Sequence, residues 1–543
     1  MDFTQSAPVA GNRFRTDKAL RLHLERLLPP EILAEAAPLL DQMGQLATDT
    51  LPHLADRAEL NPPRLIPFDP WGNRIDRIDI DPAWLRLVAI GQELGLVAIP
   101  YEGRFGAYGR IVQAGLMQLF DPVSATAACP LAMTDGAAWL LQKHDAALAE
   151  RYLPRLLARE NGWTSGQWMT EREGGSDVGR SSTVATPAED GRFRLHGVKW
   201  FTSATSADIA LALARPEGAE PGSRGLSLFL LELRRENGDW NGIRVRRLKE
   251  KMGTRALPTA ELELDGALAV PVGGLGRGVA KVASLLNVAR LWAGAAAPAG
   301  VGHLLALARD YAGKREVFGR RLRDQPSHVA WLADIAARYE GMLAMVMETA
   351  AVVGRAEHGG NASLARLMAP LTKLLCARQG ISAGSELLES FGGAGYVEDT
   401  GLPRVFRNLH VHAIWEGTTN VLAHDVVRAL SSGDLGAEWL EDMRRRLSHI
   451  TVPELQAARD RVTAAIDAVC GGVRAPGESG ARGLALGMAR ITQAVLLCEA
   501  AAWRAETKRD RAGVIACELL TRAPLYSADA DPPAALHDLA LGT

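Results

Sequence analysis

Apolar residues recur every three or four positions over most of this chain, and that spacing predicts helices wherever it persists. Between 17 and about 161 it fits helices packed together, clearest in PAWLRLVAI at 82–90 and from Ala137 to Leu148. The stretch NPPRLIPFDPWGNR at 61–74 interrupts them. Its prolines fix φ and remove donors, which predicts an ordered, non-helical excursion. From 166 to about 275 the texture changes, as short runs of β-type residues at 193–195, 226–231, 243–245 and 261–264 alternate with glycine and polar turns. A compact antiparallel β domain is expected there. Helical spacing returns from 279 to 430, with Leu332, Ile335, Tyr339, Met342 and Val346 on one face, and predicts a bundle of long helices. The segment from about 434 is again helical; GGVRAPGESGARG at 471–483 reads as a loop within it, and the chain ends in an acidic, proline-containing tail. The order helical, β, helical, helical suggests domains at 1–165, 166–276, 277–432 and 433–543.

At 543 residues the chain has room for three or four domains. A formal charge of -2 with 47% hydrophobic residues argues against both a polybasic nucleic-acid binder and a disordered acidic chain. Cys129, Cys376, Cys470, Cys498 and Cys517 are scattered with no C-x-x-C pair, so neither a disulfide framework nor a metal site is predicted. The first twenty residues lack the apolar run of a signal peptide, and no segment approaches the uncharged apolar length of a membrane span. A cytoplasmic protein without a membrane partner is the expectation.

Four constellations carry candidate chemistry. In MTEREGGSD at 169–177, paired glycines allow close backbone approach, and Thr170 and Ser176 offer hydroxyls to ring heteroatoms or a phosphate; the same letters also suit a plain polar loop. In KWFTS at 199–203, Trp200 suits either core packing or stacking on a flavin, with Thr202 at the ring edge. ESFGGAGY at 389–396 suggests a dinucleotide loop, but it follows a helical pattern and not a strand, so a Rossmann reading fails. In IWEGTTN at 414–420, Thr418 or Thr419 is a credible helix cap, which leaves Glu416 in the preceding loop, either solvated or aimed into a cleft.

Together and in this order, these segments resemble the acyl-CoA dehydrogenase superfamily. MTE-x-x-GGSD matches at 169–177, and E-x-x-GG-x-G-Y-x-x-D-x4-R-x3-N matches at 389–408 in every motif position, through Asp399, Arg404 and Asn408. The resemblance implies an α+β multidomain fold: an N-terminal helical domain, a central β domain and a C-terminal four-helix bundle, here with an extra C-terminal helical domain. It implies FAD as cofactor. Met169, Thr170 and Ser176, with Trp200, Phe201, Thr202 and Ser203, would face the flavin. Arg315, Phe318 and Gln325 would meet the pyrophosphate end of a neighbouring subunit's FAD, and Gly392 and Gly393 would pack on adenosine. Trp415, Gly417, Thr418 and Asn420 would complete the cofactor-facing set. A homotetramer built as a dimer of dimers follows.

The same resemblance makes Glu416 the catalytic base, which removes the α-proton of an acyl-CoA or related thioester as the β-hydride passes to flavin N5. Burial beside an apolar chain makes a carboxylate more basic, and N–H and hydroxyl donors stabilise the enolate. Some relatives place their base just before the arginine that is here Arg290, a candidate substrate-binding residue; this chain has Ala289 there. An electron-transfer flavoprotein is the implied electron acceptor. Trp168 replaces the usual small residue before Met169 and would narrow the acyl or CoA channel.

The segment at 61–84 and the helices after 430 resemble the AidB-like branch, linked to the alkylation response. That likeness adds an alternative: double-stranded DNA binding with only weak dehydrogenase activity. Arg444, Arg445, Arg446, Arg504, Lys508, Arg509 and Arg511 are the candidate phosphate contacts, although Glu438, Glu441, Asp442, Glu499, Glu506 and Asp510 lie among them.

Overall fold

The computed structural model describes residues 5–475, 477 and 480–526. The acidic tail lies outside them. Along the chain run α1 (Arg13–Thr16), α2 (Lys18–Leu27), α3 (Pro30–Leu60), β1 (Arg64–Phe68), β2 (Arg74–Asp79), α4 (Pro82–Glu93), α5 (Gly109–Phe120), α6 (Ala128–His144) and α7 (Ala146–Leu156). Then come β3 (Ser165–Trp168), β4 (Val184–Pro187), β5 (Phe193–Ser203), β6 (Ile209–Pro216), β7 (Ser227–Glu232), β8 (Ile243–Leu248) and β9 (Thr259–Pro271). Helix α8 (Gly278–Lys314), the short hairpin β10 (Glu316–Val317) and β11 (Arg320–Arg321), α9 (Pro326–Glu357), α10 (Ala362–Ser390), α11 (Leu402–Val411) and α12 (Thr419–Leu430) follow. The last four are α13 (Leu435–Ser448), α14 (Gln456–Arg474), α15 (Ala481–Thr507) and α16 (Ala512–Thr521).

The apolar run at 137–148 is two helices, because Asp145 ends α6 and caps α7 by accepting from the Leu148 amide. The proline-rich stretch forms the antiparallel pair β1–β2. Helix α14 continues through Gly471 and Gly472, so the break before α15 is shorter than the glycine run suggested. Long-range contacts divide the chain into a sheet unit, 42–105 with 119–292, and a helical unit, 1–41 with 106–118 and 293–543.

In the sheet unit, the main sheet runs β3-β6-β4-β5-β9-β7, and β7 pairs back onto β6, so five strands close into a small barrel. Closure covers the edges of those five strands, while β3 and β8 lie outside the ring on β6 and β9. The sheet is not wholly antiparallel: β3 and β4 both pair with β6 in parallel. Since β4 and β6 each run opposite to β5, they meet in the same direction when the sheet closes. Leu140, Leu141, Tyr152 and Leu156 of α6 and α7 pack with Leu211, Leu213, Leu228 and Leu230 of β6 and β7.

In the helical unit, small residues let α8 approach α10 and α11. A Cβ on Gly300 would lie 2.9 Å from Leu409, and one on Gly380 would lie 3.0 Å from Ala297. The face predicted on α9 is the buried one, with Ile335, Tyr339, Met342 and Val346 sealed in the core. Helices α15 and α16 pack on α9, and α15 also on α10 and α12. Two helices, Gly278–Lys314 and Ala481–Thr507, are long and apolar enough for a membrane span, which corrects the expectation that none is; 83% of each apolar window is buried in the fold. They are core helices.

His23 and His412, both in the helical unit, are buried and pushed down to about 3, chiefly by burial. The unfolded chain protonates these side chains below the ordinary 6.5 while the native one does not, so stability falls as the pH drops through that window. Between pH 7.5 and 5.0 each contributes a loss of about 2 kcal/mol. Urea denaturation of a His23→Gln variant is expected to be less acid-sensitive by that amount; equal sensitivity would refute it.

Candidate active site

The expected site residues fall in both units. In the sheet unit, residues 169–177 leave β3 as a polar loop, and the Trp200 amide donates to the Thr170 carbonyl at 3.0 Å, which joins the first two constellations. Gly175 is small because a Cβ there would meet the Thr170 side chain at 2.9 Å. Met169 is buried, Ser176 is exposed and Trp200 is half-buried. The Lys249 ammonium lies 3.7 Å from the centre of the Trp200 ring, and the Arg172 guanidinium 5.5 Å. Phe201 is exposed, and the Ser203 and Thr259 hydroxyls pair at 3.2 Å.

Beneath this surface lies a pair that the motif reading missed. Lys199 and Glu171 are both fully buried, with Nζ 2.6 Å from Glu171 Oε1 and 2.7 Å from the Leu213 carbonyl. Glu171 also accepts from the Ser182 amide at 2.6 Å, the Ser182 hydroxyl at 3.0 Å and the Thr183 hydroxyl at 2.6 Å. Burial works against its charge, but the Lys199 cation and these donors outweigh it and hold the carboxyl below its ordinary range. The available signal was position: each partner stands beside a candidate flavin residue.

Two expectations change. Thr202 is fully buried and its hydroxyl donates to the Ala260 carbonyl at 2.8 Å, so its proton is spent on the neighbouring strand and not on a ring edge. Trp168 is fully buried against Gly166, whose missing side chain makes room for the indole, so the ring belongs to the sheet's packing. Arg290, on the part of α8 within the sheet unit, is buried, as is Ala289.

In the helical unit, α11 ends at Val411 and α12 begins at Thr419, leaving the turn that carries Glu416. Glu416 is half-buried with φ 56°, and Gly417 follows at φ 104°. Two successive left-handed residues, one with a full side chain, store strain of the kind that clusters at functional sites. Thr418 occupies the cap position of α12 but makes no side-chain cap bond. Lys373 of α10, fully buried, donates from Nζ to the Gly417 carbonyl. The buried Trp415 Nε1 and His412 Nδ1 have no hydrogen-bond partner among the described residues. Asn420 accepts from Arg482 at 2.7 Å.

The glycine motif divides by role. Gly395 is structural, since a Cβ would lie 1.9 Å from the Leu388 carbonyl, and Gly392 supplies φ 60°. Gly393 has open space at its Cβ and stays available to a ligand. Arg315 is half-buried beside the β10–β11 hairpin, Phe318 at the hairpin's tip is 95% exposed, and Gln325 closes it by donating to the Val317 carbonyl at 3.0 Å.

Two of the candidate phosphate contacts are corrected. Arg446 is largely buried and bonds Asp442, Glu348 and Glu499, each at 2.8 Å. Arg504 is buried between Asp510 at 2.7 Å and Glu340. Surrounding carboxylates consume these charges, so neither can neutralise phosphate. Arg444, Arg445, Lys508 and Arg511 are more exposed but each is paired, with Asp467, Asp442, Glu25 and Glu454. Arg509 lies in the link to α16 at φ 51°.

Comparison with known proteins agrees with this architecture. Residues 5–162 match the adaptive response protein AidB N-terminal domain, 166–267 the acyl-CoA dehydrogenase middle domain, and 276–431 the acyl-CoA dehydrogenase C-terminal domain. The chain is 40% identical over 530 residues to acyl-CoA dehydrogenase family member 11 of Caenorhabditis elegans, covering 92% of this chain and 85% of that one. It is 33% identical over 400 residues to the putative acyl-CoA dehydrogenase AidB of Escherichia coli K12, covering 71% and 72%. The crystal structure of C. elegans ACDH-11 in complex with C11-CoA superposes with a TM-score of 0.95 at 36% identity, covering 99% of this chain and 96% of that one. The chain therefore belongs to the acyl-CoA dehydrogenase family of flavin enzymes, in its AidB-like branch.

Proposed function

We propose that this protein catalyses FAD-dependent α,β-dehydrogenation of an acyl-CoA thioester, with Glu416 as the base. The observation that carries the reading is Glu416 itself, a half-buried residue held at φ 56° in a turn bonded from α10. The likeness to ACDH-11, whose structure contains C11-CoA, supports a thioester of that class.

The residues present suit a flavin nucleotide. In the sheet unit the Arg172 cation lies near the Trp200 ring and Ser176 offers an exposed hydroxyl; in the helical unit Gly393 is open and the Trp415 indole N–H lacks a partner among the described residues. Met169, Thr170, Ser176, Trp200 and Phe201 would hold the ring system, and Gly392 and Gly393 the adenosine. The chemistry supplied by bound FAD is acceptance of a hydride from the β-carbon. Glu416 takes the α-proton, so the substrate loses one proton and one hydride and gains a double bond. The buried Lys199–Glu171 pair keeps the ring-binding loop and β5 in fixed relation. The exposed Phe318 tip, with Arg315 and Gln325, suits contact with a second copy's cofactor in a homotetramer. An electron-transfer flavoprotein is the proposed acceptor.

Anaerobic mixing of the yellow holoprotein with straight-chain acyl-CoA esters centred on C11 tests this reading. Bleaching by at least one chain length is the expected result, and no bleaching across the series would reject it.

A further inference from the structure

We infer that Lys373 is the positioning residue for the base, holding the Glu416 turn in its reactive shape through the Gly417 carbonyl; this rests on Glu416 being the base. Lys373 sits in the apolar run LTKLLC of α10 and is fully buried. A buried ammonium carries a desolvation cost that its contacts must offset. One group it holds here is the backbone oxygen one residue past Glu416.

The turn has need of an outside brace. Glu416 and Gly417 are both left-handed, and such backbone persists only where its surroundings over-determine it. The helix that follows packs Val421 and Leu422 against Gly417 but gives the turn no polar anchor from its cap residue, because Thr418 makes no side-chain cap bond. Nor does His412 supply charge, since burial, reinforced by the Lys373 cation, keeps it neutral at ordinary pH.

Helix α10 is itself firmly seated at this level. The Thr349 and Thr372 hydroxyls pair at 2.7 Å, and Gly294 of α8 is so close that a Cβ would lie 3.4 Å from the Lys373 amide nitrogen. Lys373 thus transmits the rigidity of packed helices to a strained turn. Being covered by protein, it acts on the turn and not on the thioester.

Flavin-loaded variants test this by separating binding from chemistry. Lys373→Met is expected to slow anaerobic flavin reduction by a C11 acyl-CoA about 100-fold, the cost of a base displaced by about 1 Å. The Kd for the same ester, read from the flavin spectrum, is expected to stay within about threefold, which a general loss of structure would not allow. Lys373→Gln, uncharged and one atom shorter, is expected to be about tenfold slower with the same unchanged affinity; it decides the matter if the Met variant does not fold. A wild-type rate, or equal losses of affinity and rate, overturns the inference. Glu416→Gln is run alongside. If it reduces the flavin within tenfold of the wild-type rate, the base assignment fails; if it is slowed about 1000-fold while the Lys373 variants behave as wild type, only the bracing role fails.

Discussion

Glu416→Gln is expected to slow reduction of the flavin by acyl-CoA about 1000-fold, within the span that a general base contributes. The substitution is nearly isosteric, and the bond from Lys373 reaches backbone at Gly417, so the turn keeps its anchor. FAD content should match the wild type. What the amide loses is the ability to accept a proton, which corresponds to about 4 kcal/mol of transition-state stabilisation. Stopped-flow absorbance under anaerobic conditions measures it directly. A rate within tenfold of wild type would mean that another group takes the α-proton.

The second large effect concerns stability. Lys199→Met removes the cation from a carboxylate with no solvent exposure and leaves the Leu213 carbonyl without that donor, at an expected cost of about 3–5 kcal/mol. Since Glu171 adjoins Thr170 and Lys199 adjoins Trp200, the damage falls on the loop proposed to hold the ring, and FAD retention is expected to drop as well. Adding Glu171→Gln should restore part of the loss, because the Ser182 and Thr183 donors can still bond an amide oxygen while the uncompensated charge is gone. Denaturant midpoints for both single variants and the double variant close the cycle. Strictly additive losses would show that the two side chains do not act as a pair.

Much of this protein is written locally. Helical spacing, the change of texture at 166 and the motifs at 169–177, 389–396 and 414–420 involve residues within a turn or a loop of one another, where periodicity and glycine geometry act directly. Gly395 illustrates it: the obstacle that demands glycine is the carbonyl of Leu388, seven positions earlier. The placement of Glu416 between two helices was legible for the same reason.

Packing decided the rest. Lys373 and Gly417 lie 44 positions apart, Lys199 and Glu171 28, and Arg446 and Glu348 98, and no local rule says which charge will find which partner. Arg446 and Arg504 read as surface cations among mixed charges until helix packing surrounds them with acids. The parallel strand pairs and the diverted hydroxyl of Thr202 appear only once the sheet closes on itself. Sequence by itself determined the elements, the family likeness and the chemically competent side chains, because those depend on neighbours in the chain. Tertiary structure alone determined which charges are spent internally and which turn is braced, because those depend on groups that meet only after the chain has folded.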